Sequence, residues 1–327
     1  VYPDNIPDTV RTTISTRNIE KKGAFHNFLY GSLYRDLYRD TLAFPALVVD
    51  TFRGGVEPVK VGGGGQTNSL RLEKKGESRR QYNMRSTTKD ASRFIPYPFN
   101  RLAVARNLVE ESFLAAHPFA ATALPPMAEA INIYHTDPQM YYIPKQPGLK
   151  EYNDLFGNEV YQVVERPDDE AWQDAPQYDY PDDLISTEDV VEELRKSEKH
   201  IIDQSWVARS RLFDLVIGDW DRHDDQWRWI DEEKDDIHTY RPVPRDRDQA
   251  FSRYDGLINN IARFTMPFLK QLRNYKKEIG NIKWSTYNGR QFDKTFLNQL
   301  EWQDWEKELE YIQANLTAEV VEAGFAR

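Results

Sequence analysis

Between positions 219 and 226 the chain reads Asp-Trp-Asp-Arg-His-Asp-Asp-Gln, five carboxylate or carboxamide side chains and one imidazole in eight residues. The cluster follows an apolar run, Leu212 to Ile217, that ends at Gly218, and it precedes the aromatic stretch Trp227-Arg-Trp-Ile230. So polar a cluster cannot be a core strand or an ordinary helix. Directly after a buried segment it suits phosphate chemistry, which needs a general base and a metal ligand close together. A second acidic cluster follows in Pro242-Val-Pro-Arg-Asp246-Arg-Asp248-Gln-Ala-Phe251. Magnesium and manganese want hard oxygen ligands, often carboxylates from separate segments. Asp221 is the candidate base, and His223 could orient it or bridge toward the metal. Asp246 or Asp248 is the candidate metal ligand, with Gln226 a weaker one. Two Asp at period two on an extended segment would face the same way and could share an ion. The plainer alternatives are a structural His223 bonded to backbone, and an acidic set that is a calcium loop or a solvated face.

Phosphoryl transfer also needs a phosphate clamp. Gly62-Gly63-Gly64-Gly65 is followed by Ser69-Leu-Arg-Leu-Glu73, with strand alternation, and by Gln81-Tyr-Asn-Met-Arg-Ser86, so 66–87 reads as a hairpin. A glycine loop lets backbone N–H groups approach an anion. Lys89, after the return strand, could reach phosphates as a point charge. Glu111 falls on a stretch with helical spacing, 100–116, and could pair with Lys89. The alternatives are an ordinary turn and a solvated lysine.

Strands are also expected at Pro45–Asp50, Ile131–Tyr134, Met140–Ile143 and Glu159–Val164. The Pro- and Asp-rich stretch 166–184 is a candidate boundary between a 1–165 part and a 166–327 part. Ser186 with Asp189 reads as a variant capping box. Ile202, Trp206, Phe213 and Ile217 form one amphipathic stripe, and Trp302, Trp305, Leu309 and Ile312 another. Strands first and helices later predict an α+β fold with segregated elements.

Composition narrows the function. The formal charge of −10 and pI of about 5.3 disfavour a general nucleic-acid binder. No run reaches the ~18 apolar residues of a spanning helix, and the first residues show no apolar signal region. The absence of cysteine removes disulfides, thiolate metal sites and thiol nucleophiles. The six histidines show no zinc-protease spacing, and no Gly-x-Ser-x-Gly elbow is present.

The stretch from Phe213 through Gly218-Asp-Trp-Asp221-Arg-His223, with Asp246 to Phe251 downstream, resembles the catalytic and metal segments of atypical secretory-pathway kinases of the Golgi casein kinase type. It is similar also to the phosphatidylinositol kinases. The string from Gly62 through Met84-Arg-Ser-Thr-Thr-Lys89-Asp resembles a domain of large Bacteroidetes envelope proteins, some labelled metallophosphoesterases. The first likeness implies a bilobal protein-kinase-like fold, with a strand-rich N-lobe and a helix-rich C-lobe. It also implies ATP with Mg2+ or Mn2+, and a hydroxyl acceptor on a protein, glycan or lipid. In that frame Asp221 is the catalytic Asp, and Lys89 with Glu111 forms the ATP-lysine pair. Gly63, Gly64 and Gly65 cover phosphates, and Glu165 borders adenine. Matching Phe251 favours Asp246 as the metal ligand, and the more usual spacing favours Asp248. The second likeness implies a periplasmic or cell-surface location, as part of a larger envelope protein, although a chain without cysteine suits the cytoplasm equally. Gln226 where a metal ligand is expected, a loop without Gly-x-Gly-x-x-Gly and no Asp-Phe-Gly leave two alternatives: an inactive pseudokinase or scaffold, and an accessory domain of a phosphoesterase.

Overall fold

Alternation sets the first sheet. Leu70 and Leu72, then Tyr82 and Met84, are buried while their neighbours are not, the period of a strand with one face on a core. The computed structural model describes residues 5–62, 68–87, 101, 111–266 and 269–327. Strand β1 (Thr9–Thr12) pairs antiparallel with β2 (Leu42–Pro45). Strands β3 (Val56–Gly62), β4 (Ser69–Lys74), β5 (Gln81–Ser86), β6 (Gln139–Ile143) and β7 (Glu159–Arg166) form a five-stranded antiparallel sheet in the order β3-β4-β5-β7-β6. The hairpin expected at 66–87 is β4–β5, and the strands expected near 140 and 160 are β6 and β7. Two expectations are corrected. Ile131 and Ile133 are buried but follow the Pro125–Ala130 helix as irregular chain. Of Pro45–Asp50, only Pro45 lies in a strand, although Leu47 and Val49 are buried.

A second sheet has the order β8-β10-β11-β9, from β8 (Leu184–Ile185), β9 (His200–Ile202), β10 (Trp227–Lys234) and β11 (Ile237–Pro244). Its centre is the antiparallel hairpin β10–β11. The two-residue turn, Asp235-Asp236, has φ 53° and 65°. Positive φ at both central positions is the primed geometry whose twist matches flanking strands, and Asp tolerates it better than most residues. One core packs on this sheet: Trp227 stacks on Phe292 at 4.4 Å, and Trp229 meets Phe296 at 4.7 Å. Another joins Phe213 and Ile217 of the Gln204–Ile217 helix to Leu124, Met127, Ala250, Phe251 and Ile312.

The class is α+β with strands and helices segregated, as the sequence predicts. The chain divides into two compact units. One holds 1–118, 138–166 and 253–265, and the other 119–137, 167–252 and 266–327. The first carries the five-stranded sheet. The second carries the four-stranded sheet, the Gln204–Ile217 helix and the helices Arg290–Phe296, Trp302–Asn315 and Ala318–Phe325.

Candidate functional site

The hairpin brings the two acidic clusters together. Trp227, the first residue of β10, lies opposite Pro244, the last of β11. The segment entering the hairpin, 219–226, and the segment leaving it, 245–251, therefore meet at its open end. Backbone and side chains stitch them: Arg245 N–H donates to Gln226 O at 2.8 Å, and Arg245 Nη2 to Asp225 O at 3.0 Å.

The preceding helix aims this loop. Asp203 caps its N-terminus, accepting from Trp206 N–H at 3.0 Å. Gly218 ends it in the left-handed region, φ 70°. Asp219 N–H then returns to Asp214 O at 2.9 Å, the hydrogen bond of a Schellman cap. The left-handed conformation favours glycine, and a Cβ there would stand 3.0 Å from the Tyr275 ring, which would have to give by a few tenths of an ångström.

Beneath the loop lies a buried charge knot. Asp214, wholly buried, accepts at Oδ1 from Arg247 Nε and Nη2 at 3.2 and 3.1 Å. At Oδ2 it accepts from Arg211 Nη1 at 2.9 Å and Arg222 Nε at 3.3 Å. Arg211 also forks onto Asp293, at 2.6 and 3.2 Å. Arg222 reaches further, from Nη1 to Arg245 O at 2.6 Å and to Gln226 Oε1 at 3.1 Å, with its guanidinium 4.4 Å from the Trp227 ring centre. Burial works to raise the Asp214 carboxyl, but Arg222, Arg247 and Arg211 hold it below its ordinary range. Burial pushes Arg247 down to about 10 against the pull of Asp214, so it remains a cation at neutral pH. Asp219 behaves oppositely: burial, with Asp214 and Asp248 nearby, raises its carboxyl well above the usual value despite Arg222. Among the described residues its Oδ2 has no hydrogen-bond partner, with Arg222 Nη1 at 3.8 Å, while its Oδ1 accepts from Asp221 N–H at 3.2 Å.

Above the knot, Asp221 is half-buried. Its Oδ1 accepts from Asn288 Nδ2 at 2.9 Å, and its Oδ2 has no partner among the described residues. Such a carboxylate, held by one oxygen, can receive a proton on the other. His223 is exposed, and its Nε2 faces the Gln226 carboxamide at 3.3 Å. The Gln226 carbonyl oxygen, expected on a metal, is engaged by Arg222 and buried. Asp246 and Asp248 are half-buried beside this loop, and Asp248 Oδ1 accepts from Gln249 Nε2 at 2.9 Å. The segment is not extended, because Asp246 sits at φ 56° and a turn begins at Asp248. The period-two argument for their facing the same way therefore fails. Among the described residues no group of three His, Cys, Asp or Glu gathers to hold a metal by itself. Magnesium commonly takes only one or two carboxylates and completes its shell with phosphates and water, so a single carboxylate from this segment, Asp246 or Asp248, suits that ion without the two having to share it.

In the other unit, Glu111 accepts from Arg35 Nη2 at 2.7 Å, with His26 at 3.7 Å. Its expected partner Lys89 lies outside the described residues, as do Gly63, Gly64 and Gly65, which connect β3 to β4 in sequence. Glu165 is half-buried in β7 opposite Tyr82 of β5. Sequence reasoning missed Asn288, Asp214, Arg211 and Arg247, whereas Arg222, whose place in the cluster suggests a carboxylate partner, finds one in Asp214. The spacing of Arg211 and Asp214, one helical turn apart in an apolar run, was the available signal.

No protein-family profile matches the chain, and no curated protein matches it. Among solved structures it is similar to the proinflammatory kinase CtkA of Helicobacter pylori, with 14% identity, a TM-score of 0.38, and 83% of this chain and 84% of that one covered. It is similar also to the Rio2 kinase of Chaetomium thermophilum in its ADP/Mg2+-phosphoaspartate complex, with 11% identity, a TM-score of 0.31, and 91% and 78% covered. The functional reading rests on the chain's own residues.

Proposed function

We propose that the chain is a kinase-like phosphotransferase domain that binds ATP with Mg2+ or Mn2+ and passes a phosphoryl group to a hydroxyl on a protein, glycan or lipid. The observation that carries this reading is the β10–β11 hairpin with an acidic segment at each side of its open end, clamped by Arg222 on a buried base. One segment offers a carboxylate free to take a proton, Asp221. The other offers oxygen ligands for a divalent ion, Asp246 and Asp248. Phosphoryl transfer uses a carboxylate that takes the acceptor proton and oxygen ligands for the metal. A bound metal would neutralise phosphate charge. Asp221 would orient the acceptor hydroxyl and take its proton, and Asn288 would hold Asp221 in place. In this reading Gly63–Gly65, Lys89, Glu111 and Glu165 serve the nucleotide.

The engaged Gln226 favours a second reading, an inactive pseudokinase or scaffold, because the residue at a ligand position is spent on Arg222.

Thermal melting with ATP, ADP and non-hydrolysable analogues, with and without Mg2+ or Mn2+, tests the proposal. Saturation should stabilise by about 2.7 kcal/mol at a hundredfold excess over Kd. Metal-dependent stabilisation with transfer of labelled γ-phosphate supports the kinase. Stabilisation without transfer supports the pseudokinase. No nucleotide effect in a folded sample overturns the kinase and favours the scaffold.

A further inference from the structure

Residues 270–290 invert the charge of the chain. Against an overall −10, this stretch carries Lys270, Arg273, Lys276, Lys277, Lys283 and Arg290 and one acid, Glu278. None of the six bases makes an ion pair among the described residues. Their guanidinium hydrogen bonds go to backbone, Arg273 to Lys270 O and Arg290 to Tyr287 O. Their other contacts are aromatic: Lys270 and Lys283 ammonium groups stand 5.0 and 5.9 Å from the Trp284 ring centre, and Arg290 stands 4.0 Å from that of Tyr287. Between the bases, large apolar side chains face water, with Tyr275 and Ile279 each 47% and Ile282 58% exposed.

The stretch is anchored to the candidate site within the same unit. Tyr275 N–H donates to Ser252 O at 2.7 Å, the Tyr275 ring meets Phe251 at 5.0 Å, and Asn288 holds Asp221. Gly289 packs so closely that a Cβ there would stand 2.9 Å from Arg222 O. The exposed part is thus a basic and apolar rim on a fixed base.

We propose that this rim docks on an anionic phospholipid surface. Unpaired lysines are attracted by the negative surface potential of acidic lipids. Isoleucines among them gain by entering the boundary between headgroups and acyl chains, and Trp and Tyr suit that level. An acidic peptide would satisfy the lysines but give Ile279 and Ile282 no reason to stand in water. The docking proposal is independent of the phosphotransfer reading, although the Asn288 contact would bring Asp221 to the surface that is bound.

The test is co-sedimentation of the full chain with equimolar phosphatidylglycerol–phosphatidylcholine vesicles and with pure phosphatidylcholine vesicles. Binding to the first alone, released by salt, is expected. Combined Lys276→Glu, Lys277→Glu and Lys283→Glu should weaken partition by at least about a hundredfold, since losing three lysines alone costs roughly fivefold each and the glutamates add repulsion. The control Lys234→Glu, Lys294→Glu and Lys307→Glu, with the same change in net charge, should leave partition within a few-fold. If the first triple variant fails to melt cooperatively, Ile279→Ser with Ile282→Ser decides, and it should weaken binding at least tenfold. Vesicles that do not bind, equal losses in both triple variants, or lysine-dependent binding of poly-glutamate without vesicle binding would each overturn the proposal. The nucleotide-induced melting shift, read on the same samples, reports separately on phosphotransfer.

Discussion

Arg222 donates through Nη1 to the backbone carbonyl of Arg245 at 2.6 Å, and this contact joins the segment carrying the candidate base to the segment carrying the candidate metal ligands. The same guanidinium rests on Asp214, whose other oxygen holds Arg247 between Asp246 and Asp248. One buried carboxylate thus positions both acidic segments from below. A buried pair of this kind is weak evidence for stability, but removing one partner leaves the other's charge buried and uncompensated.

Arg222→Met keeps the length and removes the donors. It strands Gln226 Oε1 and Arg245 O, and removes one cation from Asp214. The expected loss is about 3–5 kcal/mol, read as a lower urea midpoint with an unchanged slope. Arg222→Lys should recover little of it, because one ammonium cannot span these diverging acceptors. A loss under about 1 kcal/mol would show that the knot does not hold the two segments.

Asp214 and Asp219 should oppose each other in pH. The folded Asp214 carboxyl lies below its ordinary value, so its stabilisation is present above the unfolded value of ~3.9 and is lost as pH falls through the folded value. Asp219 lies well above, so its contribution is present below ~3.9 and is lost as pH rises through its folded value. Asp214→Asn should therefore destabilise at neutral pH, by about 3–5 kcal/mol. Asp219→Asn keeps Oδ1 for the Asp221 N–H and should stabilise at neutral pH by about 1 kcal/mol, with the gain shrinking toward pH ~4. Urea midpoints across that range check both signs. An Asp219→Asn variant less stable at neutral pH would place a needed negative charge there.

The strand signal was plain where one face is buried and turns are short. Leu70/Leu72 against Tyr82/Met84 predicted β4–β5, and Ser186 with Asp189 predicted the cap that forms, with Ser186 Oγ accepting from Asp189 N–H. The β10–β11 hairpin was hidden because its outer half, Asp231-Glu-Glu-Lys-Asp-Asp236, is charged and its turn lacks the usual glycine or asparagine. Asn288 lies 67 residues from Asp221, and no local pattern reports a contact made only by tertiary folding. Asp214 was read as part of an apolar run, because a periodicity count does not price a buried ion whose partners lie elsewhere.

The hairpin turn gives a test of fold rather than chemistry. Both Asp235 and Asp236 have positive φ, which costs an L-residue about 1–2 kcal/mol. Asp235→Asn with Asp236→Gly supplies the preferred pair. It removes the exposed Lys199–Asp236 ion pair, which is worth little. A gain of about 0.5–1 kcal/mol in thermal or urea unfolding is expected, and a loss would mean that the ion pair outweighs the backbone.

Base and metal ligands should separate by the property each removes. Asp221→Asn keeps the shape and an acceptor for Asn288 but cannot take a proton, so transfer should fall about 10²–10⁴-fold, with nucleotide and metal binding unchanged. Asp246 needs a careful substitution, because at φ 56° Ala would add backbone strain to the loss of charge, whereas Asn tolerates that conformation. Asp246→Asn and Asp248→Asn each remove one charged oxygen donor, and amides bind magnesium less well. The variant at the true ligand should lose the metal-dependent part of nucleotide stabilisation, with transfer falling further than for Asp221→Asn, since uncompensated phosphate charge raises the barrier more than a missing base. Metal titrations followed by melting temperature decide between the two positions. If both Asn variants bind metal like the parent, the acidic turn after β11 is a structural feature of the hairpin end and the metal lies elsewhere.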